Sequence, residues 1–230
     1  MPDSVVIPEP PAVASVVFGQ RLELARRYAG FLASAGIERG LLGPREVPKL
    51  WERHLLNCAA LTELLPQHAR LVDVGSGAGL PGLVVAIRRP DVRVDLVESL
   101  QRRVDFLNEA TTLLGLESQV RVVHGRAEDR AVVDTVATAL WVTARAVAPL
   151  DRLVKWCLPL LAPDGVLLAM KGVSASDELE AHRDAVHRLG GVNARVVSLE
   201  QELGEPVQVV VVVRGVESGH RARGRRKGHA

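Results

Sequence analysis

Residues Leu71–Gly82 read LVDVGSGAGLPG. Leu71, Val72 and Val74 are branched apolar residues in a short run, the pattern of a buried strand. Gly75, Gly77, Gly79 and Gly82 follow, and Leu83-Val84-Val85-Ala86-Ile87 can continue as a helix. A strand that breaks into a glycine loop and re-enters as a helix gathers backbone N–H groups and a helix N-terminus at one point, where an anionic or nucleotide-like ligand binds. Glycine suits the loop because the turn needs backbone angles that a side chain forbids, and because a ligand must approach the main chain closely. Pro81 fits the first helical turn, where its missing N–H costs nothing.

Gly77–Gly82 matches the dinucleotide fingerprint G-x-G-x-x-G. Asp73 argues against that ligand. A carboxylate two residues before the first glycine repels a pyrophosphate, whereas it favours a ligand carrying an ammonium and a sulfonium. The pattern Asp73-x-Gly75-x-Gly77-x-Gly79 resembles motif I of the Rossmann-like methyltransferases, which implies S-adenosylmethionine as cofactor. A second apolar run, Val92–Val97, ends in Glu98, placed to accept both ribose hydroxyls of a nucleoside. That acid alone suits a nicotinamide dinucleotide equally, so Asp73 tips the balance.

With 230 residues and 47% apolar content, the chain can bury one good core and falls outside the disordered class. No apolar run is long enough to span a bilayer, and the N-terminus (MPDSVVIPEPP) lacks the basic start of a signal peptide. Cys58 and Cys157 lie in apolar helical patterns without C-x-x-C spacing, which reads as buried thiols in a reducing cytoplasm and not as a metal site. Net charge is +2, but Arg221, Arg223, Arg225, Arg226 and Lys227 crowd the tail, and without them the remainder stands at −3. Nucleic-acid contacts must therefore come from local patches.

Four prolines and two acids in residues 1–11 read as a disordered leader, drawn to residue 13. Helical periodicity over 14–35 and 44–65 predicts an N-terminal cap covering 14–66. A methyltransferase domain follows over 67–214. Strand and helix signals alternate there: strand 92–98, helix 100–115, strand 120–124, strand 139–144, helix 150–162, strand 165–170 and helix 176–189. Two last strands, 192–199 and 207–214, predict a hairpin at the sheet edge. The fold class is α/β, a mostly parallel seven-stranded sheet with helices on both faces. The Gly-, Arg- and His-rich residues 215–230 read as a disordered tail.

Further short stretches carry a narrower resemblance. They are Arg53-His54-Leu55-Leu56-Asn57, Leu80-Pro81-Gly82, Glu98-Ser99-Leu100 with Arg102-Arg103-Val104, Gly125-Arg126-Ala127-Glu128, Ala144-Arg145-Ala146, Trp156-Cys157 and Met170-Lys171-Gly172. Together they resemble the bacterial 16S ribosomal RNA guanine-N7 methyltransferase G family, also called glucose-inhibited division protein B, from about Leu50 to Gly172. The resemblance implies a cytoplasmic enzyme that methylates N7 of a guanine in the decoding-region loop of 16S rRNA, with the rRNA or small ribosomal subunit as partner. It implies cofactor contacts from Gly75, Leu80, Ala127, Glu128 and Arg145, to which the residue reading adds Asp73, Gly77, Gly79 and Glu98. The Arg-rich tail lies outside the family's pattern.

Guanine N7 carries an unprotonated in-plane lone pair, so its methylation needs alignment and no general base. Arg145, after the fourth strand, is the candidate for holding the base at O6 or an adjoining phosphate, because arginine grips both bidentately. Its structural alternative is an ion pair with Asp73, Glu98 or Glu128. Lys171 is the candidate phosphate contact. Arg88, Arg89, Arg102 and Arg103 fit solvated helix surface, and a lone histidine such as His54 more often caps or packs. At 3% aromatic content, base stacking has few rings to draw on: Trp51, Trp141, Trp156, Tyr28 and Phe106. No metal and a monomeric state complete the expectation. Two other readings stand beside it: a methyltransferase of small molecules, and a non-catalytic nucleotide-binding ribosome-assembly factor.

Overall fold

A computed structural model describes residues 7–136, 138–145, 148–201 and 203–216. Strand β1 (Arg70–Val74) lies at its centre, with Leu71, Val72 and Val74 buried. It pairs in parallel with β2 (Arg93–Glu98) on one side and β4 (Ala139–Arg145) on the other. Beyond β2 lies β3 (Val120–His124), and beyond β4 lies β5 (Leu161–Lys171), both parallel to their neighbours. The hairpin of β6 (Gly191–Leu199) and β7 (Val207–Arg214) completes the sheet, with β7 antiparallel to β5. The order is β3-β2-β1-β4-β5-β7-β6, the mixed seven-stranded arrangement expected.

Side-chain pattern explains which strand takes the inner place in the hairpin. Val209, Val210, Val211 and Val212 are all buried, as a strand covered on both faces requires. The edge strand β6 mixes buried and partly exposed positions and carries the polar Asn193, Arg195 and Ser198.

Five helices flank the strands: α4 (Gly82–Arg88), α5 (Gln101–Leu114), α6 (Arg130–Val136), α7 (Leu150–Cys157) and α8 (Ala175–Arg188). One face of the sheet packs on α6, α7 and α8 through residues such as Val136, Leu153 and Val186. The other packs on α4, α5 and the N-terminal helices, in a single cluster that runs from Ala14 through Tyr28, Leu50, Leu83 and Phe106 to Val209. Burying each such large side chain stabilises the fold by about 1.5–3 kcal/mol. The N-terminal helices thus complete one layer of the same core.

Several boundaries differ from the sequence reading, each for a local reason. The stretch 14–35 divides into α1 (Ala12–Phe18), a 3-10 turn and α2 (Leu22–Phe31), because Gly19 takes φ +51. The stretch 44–65 becomes a 3-10 segment containing Pro48, a π-helical segment Leu50–Leu56, the short α3 (Asn57–Ala60) and a final 3-10 turn. Helix α7 stops at Cys157, since Pro159 cannot continue it, and β5 accordingly begins at Leu161. The sequence reading has no α6, because the β-branched Val132, Val133, Thr135 and Val136 read poorly as helix. As expected, α5 ends at Gly115 in the left-handed conformation. Part of the expected leader is ordered: the Trp51 indole donates to the Pro8 carbonyl at 2.8 Å. Residues 1–6 of the expected leader and 217–230 of the expected tail lie outside the described residues.

Among the described residues no helix is long and apolar enough to cross a membrane. The strand order reverses between β1 and β4, and their carboxyl ends, Val74 and Arg145, open the crevice where ligands bind in sheets of this type.

Candidate active site

The loop after β1 is held from below by an acid and from the side by a phenol. Gly75, Gly77 and Gly79 have φ of +69, +58 and +92, angles that only glycine adopts readily. The Val97 carbonyl accepts the Gly75 and Ser76 amides at 2.9 and 3.2 Å. Asp73 Oδ2 accepts the Gly82 amide at 3.0 Å, joining the end of β1 to the start of α4. A side chain at Gly82 would lie 2.3 Å from Leu96 and 2.7 Å from Asp73 Oδ2, so the helix can sit this close only with glycine there. The Tyr28 hydroxyl, from α2, donates to the Ala78 carbonyl at 2.6 Å. Gly77 differs from its neighbours: a Cβ there would meet only the Gly75 carbonyl, at 3.8 Å, and otherwise face open space.

Asp73 stands elsewhere than the sequence reading placed it. Its side chain is fully buried beneath the loop and does not reach the open crevice. Oδ1 has no hydrogen-bond partner, and burial pushes the carboxyl up to about 7, against the opposing pull of the Gly82 amide and Arg145. An acid can end a strand and face its ligand, or turn under the loop and brace it. The Gly82 contact selects the second arrangement.

Glu98 is nearly buried at the end of β2. Oε2 accepts the Gly77 amide at 3.0 Å, and Oε1 accepts the Ser99 and Leu100 amides at 2.9 and 3.0 Å. Arg103 Nη1 stands 3.6 Å from Oε2. A carboxylate has about four acceptor sites, so three amides leave capacity on Oε2. Two cavities meet beside it. One is lined by Gly75, Ser99, Gly125, Arg126, Ala127, Glu128 and Trp156. The other is lined by Gly75–Ala78, Leu80, Glu98, Ser99, Arg103, His54 and Arg145. Gly75 and Ser99 border both, so these form one crevice along the carboxyl edge of β1, β2 and β3. It brings together Gly75, Gly77, Leu80, Glu98, Ala127, Glu128 and Arg145, all named from the sequence. Gly79 is turned instead toward Leu83 and Tyr28.

A third cavity, of about 710 Å³, opens on the other side of Arg145 and His54. It is bordered by Lys49, Arg53, Asn57, Met170, Lys171 and the β6–β7 connection. Arg145 is the partition between cofactor-sized crevice and outer cavity. The contacts of its guanidinium bear on the alternative expected for it, an ion pair with an acid. Nη2 donates to His54 Nδ1 at 2.8 Å and to the Arg53 carbonyl at 3.3 Å, and Nη1 approaches Cys58 Sγ. Among the described residues it forms no ion pair with Asp73, Glu98 or Glu128. The fork expected to grip guanine is engaged with the π-helical segment, which leaves the Nε–H and one Nη1–H for a ligand. Lys171 is likewise committed: its Nζ pairs with Glu178 and donates to the Ala148 carbonyl, at 2.8 and 2.9 Å. Although it borders the outer cavity, it braces the backbone at Ala148, ahead of α7.

Of the five rings named for stacking, Tyr28, Phe106 and Trp51 are buried in the core, and Trp156 lines the crevice. Glu46 and Cys58 border the site unforeseen, and Tyr28 meets the loop through its hydroxyl instead of as a stacking ring. Their sequence signals were ordinary helical periodicity and a surface acid, and only packing brings them to the loop and to Arg145.

Residues 21–207 match the family model described as GidB, rRNA small subunit methyltransferase G. The chain is 54% identical over 201 residues to the ribosomal RNA small subunit methyltransferase G of Mycobacterium marinum, covering 87% of each. It is 51% identical over 237 residues to that of Salinispora arenicola, covering 98% of each. The chain belongs to this family. As a member it is an S-adenosylmethionine-dependent methyltransferase. Solved structures with the same fold include the S-adenosylmethionine-dependent methyltransferase SibL in its apo form, at TM-score 0.60 and 15% identity over 89% of this chain and 70% of that one. Another is a putative S-adenosyl-L-methionine-dependent methyltransferase of Methanococcus maripaludis, at TM-score 0.57 and 11% identity over 84% and 95%.

The residues present fit that cofactor. Gly77 leaves room beside the loop where a Cβ would intrude. Glu98 has acceptor capacity for ribose hydroxyls, and Ala127 and Glu128 border the far end of the crevice.

Proposed function

We propose that this protein methylates N7 of a guanine in the decoding-region loop of 16S ribosomal RNA. The observation that carries the reading is the meeting of two cavities at Arg145 and His54. A crevice fitted to a nucleoside cofactor opens there onto a larger cavity with the cations Lys49, Arg53 and Lys171 on its border. The family's name supplies the RNA; the cavity supplies a place for one extruded base. Bound in the crevice, S-adenosylmethionine supplies an electrophilic methyl group. The chain's own task is alignment: the glycine loop and Glu98 orient one reactant, and the outer cavity orients the other. A guanine N7 offers its lone pair without losing a proton, so no side chain need act as a base. Methylation leaves the guanine cationic. Holding Arg145 by neutral acceptors keeps its reach toward the ring limited, which lessens repulsion of the product. The same reading makes the protein a cytoplasmic monomer whose partner is the small ribosomal subunit or its RNA.

The test is transfer of labelled methyl from S-adenosylmethionine to 30S subunits, naked 16S rRNA and small-molecule acceptors. Label in 7-methylguanosine at one 16S position is expected. Label in another nucleoside, or in a small acceptor alone, would overturn the assignment.

A further inference from the structure

His54 borders both cavities, yet methylation of an N7 lone pair requires no histidine. It is 8% exposed and lies in the π-helical segment, a geometry frequent at functional positions. Its Nδ1 is 2.8 Å from Arg145 Nη2, and its Nε2 is 3.0 Å from Glu46 Oε2. Arginine has donors only. Nδ1 must therefore be the acceptor and carry no proton, and the ring proton sits on Nε2, donated to Glu46. Donation runs in one direction, from Arg145 through His54 to Glu46.

We propose that Glu46 and His54 are positioning residues for Arg145, holding its guanidinium at the junction of the two cavities so that a second proton on His54 releases it. The inference rests on the methyl-transfer reading above. Its physical basis is that all the partners of Arg145 among the described residues (His54, the Arg53 carbonyl, Cys58) are neutral acceptors. They orient the cation without cancelling its charge, as a carboxylate in direct contact would. Left unheld, the guanidinium has Glu98 in the same crevice as a competing attraction. Glu46 acts one ring away, fixing the tautomer as carboxylates do for metal-bound histidines. If His54 takes a second proton, Nδ1 becomes a donor facing a donor, and two cations stand side by side.

The charged groups bearing on His54 are Glu46 from the 3-10 segment, Arg53 from its own π-helical segment and Arg145 from β4, with Lys49 acting on Glu46 and the Cys58 thiol on Arg145. Burial and the Arg145 charge hold its pKa below the ordinary histidine value, while Glu46 pulls the other way. The neutral, accepting form is thus the working form at neutral pH.

Single-turnover methylation of 30S subunits from pH 5 to 8, with calorimetric S-adenosylmethionine affinity, tests this in wild type, His54→Leu, His54→Asn and Glu46→Gln. Wild type should lose transfer on the acid side with an apparent pKa below about 6.5. His54→Leu should lose roughly 10- to 100-fold of the neutral-pH transfer rate, the equivalent of one charge-assisted hydrogen bond, with cofactor affinity far less affected. In His54→Asn the amide oxygen replaces Nδ1 as acceptor without titrating. Transfer should recover relative to leucine, and the acid limb should vanish. Glu46→Gln should move that limb to lower pH. An unchanged limb in His54→Asn, or wild-type transfer in His54→Leu, overturns the proposal. Wild type inert toward 30S subunits would instead condemn the reaction assignment. Nitrogen-15 NMR of the His54 ring then decides the positioning independently: an Nδ1–H tautomer, or titration above about 6.5, sinks it.

Discussion

Gly77 shows how much one residue's surroundings matter. Its φ of +58 is one a non-glycine residue rarely adopts, and the missing Cβ faces the crevice instead of protein. Gly77→Val is therefore expected to cost stability by only about 1–2 kcal/mol of backbone strain, while filling ligand space and weakening S-adenosylmethionine binding far more. Calorimetry on the folded variant checks this, and unchanged affinity would remove Gly77 from the cofactor site. Gly79 and Gly82 make the contrast. A Cβ at either meets protein atoms closer than 3.0 Å, so substitutions there should report on folding as much as on binding. Four glycines that look alike in the sequence thus do different work, and the pattern of spacing alone does not separate them.

At the scale of the element, the N-terminal helices do more than cover the sheet. Helix α2 reaches the glycine loop through Tyr28, whose buried hydroxyl donates to the Ala78 carbonyl. Tyr28→Phe keeps the ring in the core but leaves that carbonyl unpaired, a loss of about 1–3 kcal/mol. The expected outcome is a lower denaturation midpoint together with weaker cofactor binding, since the loop is the element released. Should urea unfolding show the loss while cofactor affinity stays at wild type, the loop's shape does not depend on α2. The π-helical segment plays the corresponding part for Arg145. Its interruption of regular helix brings the Arg53 carbonyl and His54 Nδ1 together at one guanidinium.

Across the whole molecule, the buried Asp73 makes stability depend on pH. Burial raises its carboxyl from 3.8 to about 7. Between those values the folded protein retains a proton that the unfolded chain has released. Asp73 therefore contributes its full stability below pH 3.8, and that contribution is lost as pH rises through 7. Relative to Asp73→Asn, wild type should lose up to about 1.4 kcal/mol of unfolding free energy per pH unit across that window. Urea denaturation of both proteins from pH 4 to 8 measures it, and a difference independent of pH would show that the carboxyl is not held protonated.

Local patterns alone determined the α/β class, the glycine loop, the hairpin and most strand limits, because short apolar runs and glycine positions are set by nearest neighbours. The family resemblance marked Gly75, Leu80, Ala127 and Arg145, and the acid that ends the second apolar run marked Glu98; strand ends in a parallel sheet then converge on one edge. Tertiary structure decided what those residues face. Asp73 turned under the loop because Gly82 offered an amide there, and Lys171 turned to Glu178 on α8. Arg145 met neutral acceptors in the π-helical segment, where the sequence pointed to a free fork or an ion pair. These partners lie from 7 to 92 residues away along the chain. A side chain's orientation depends on such distant partners, and no local pattern carries it.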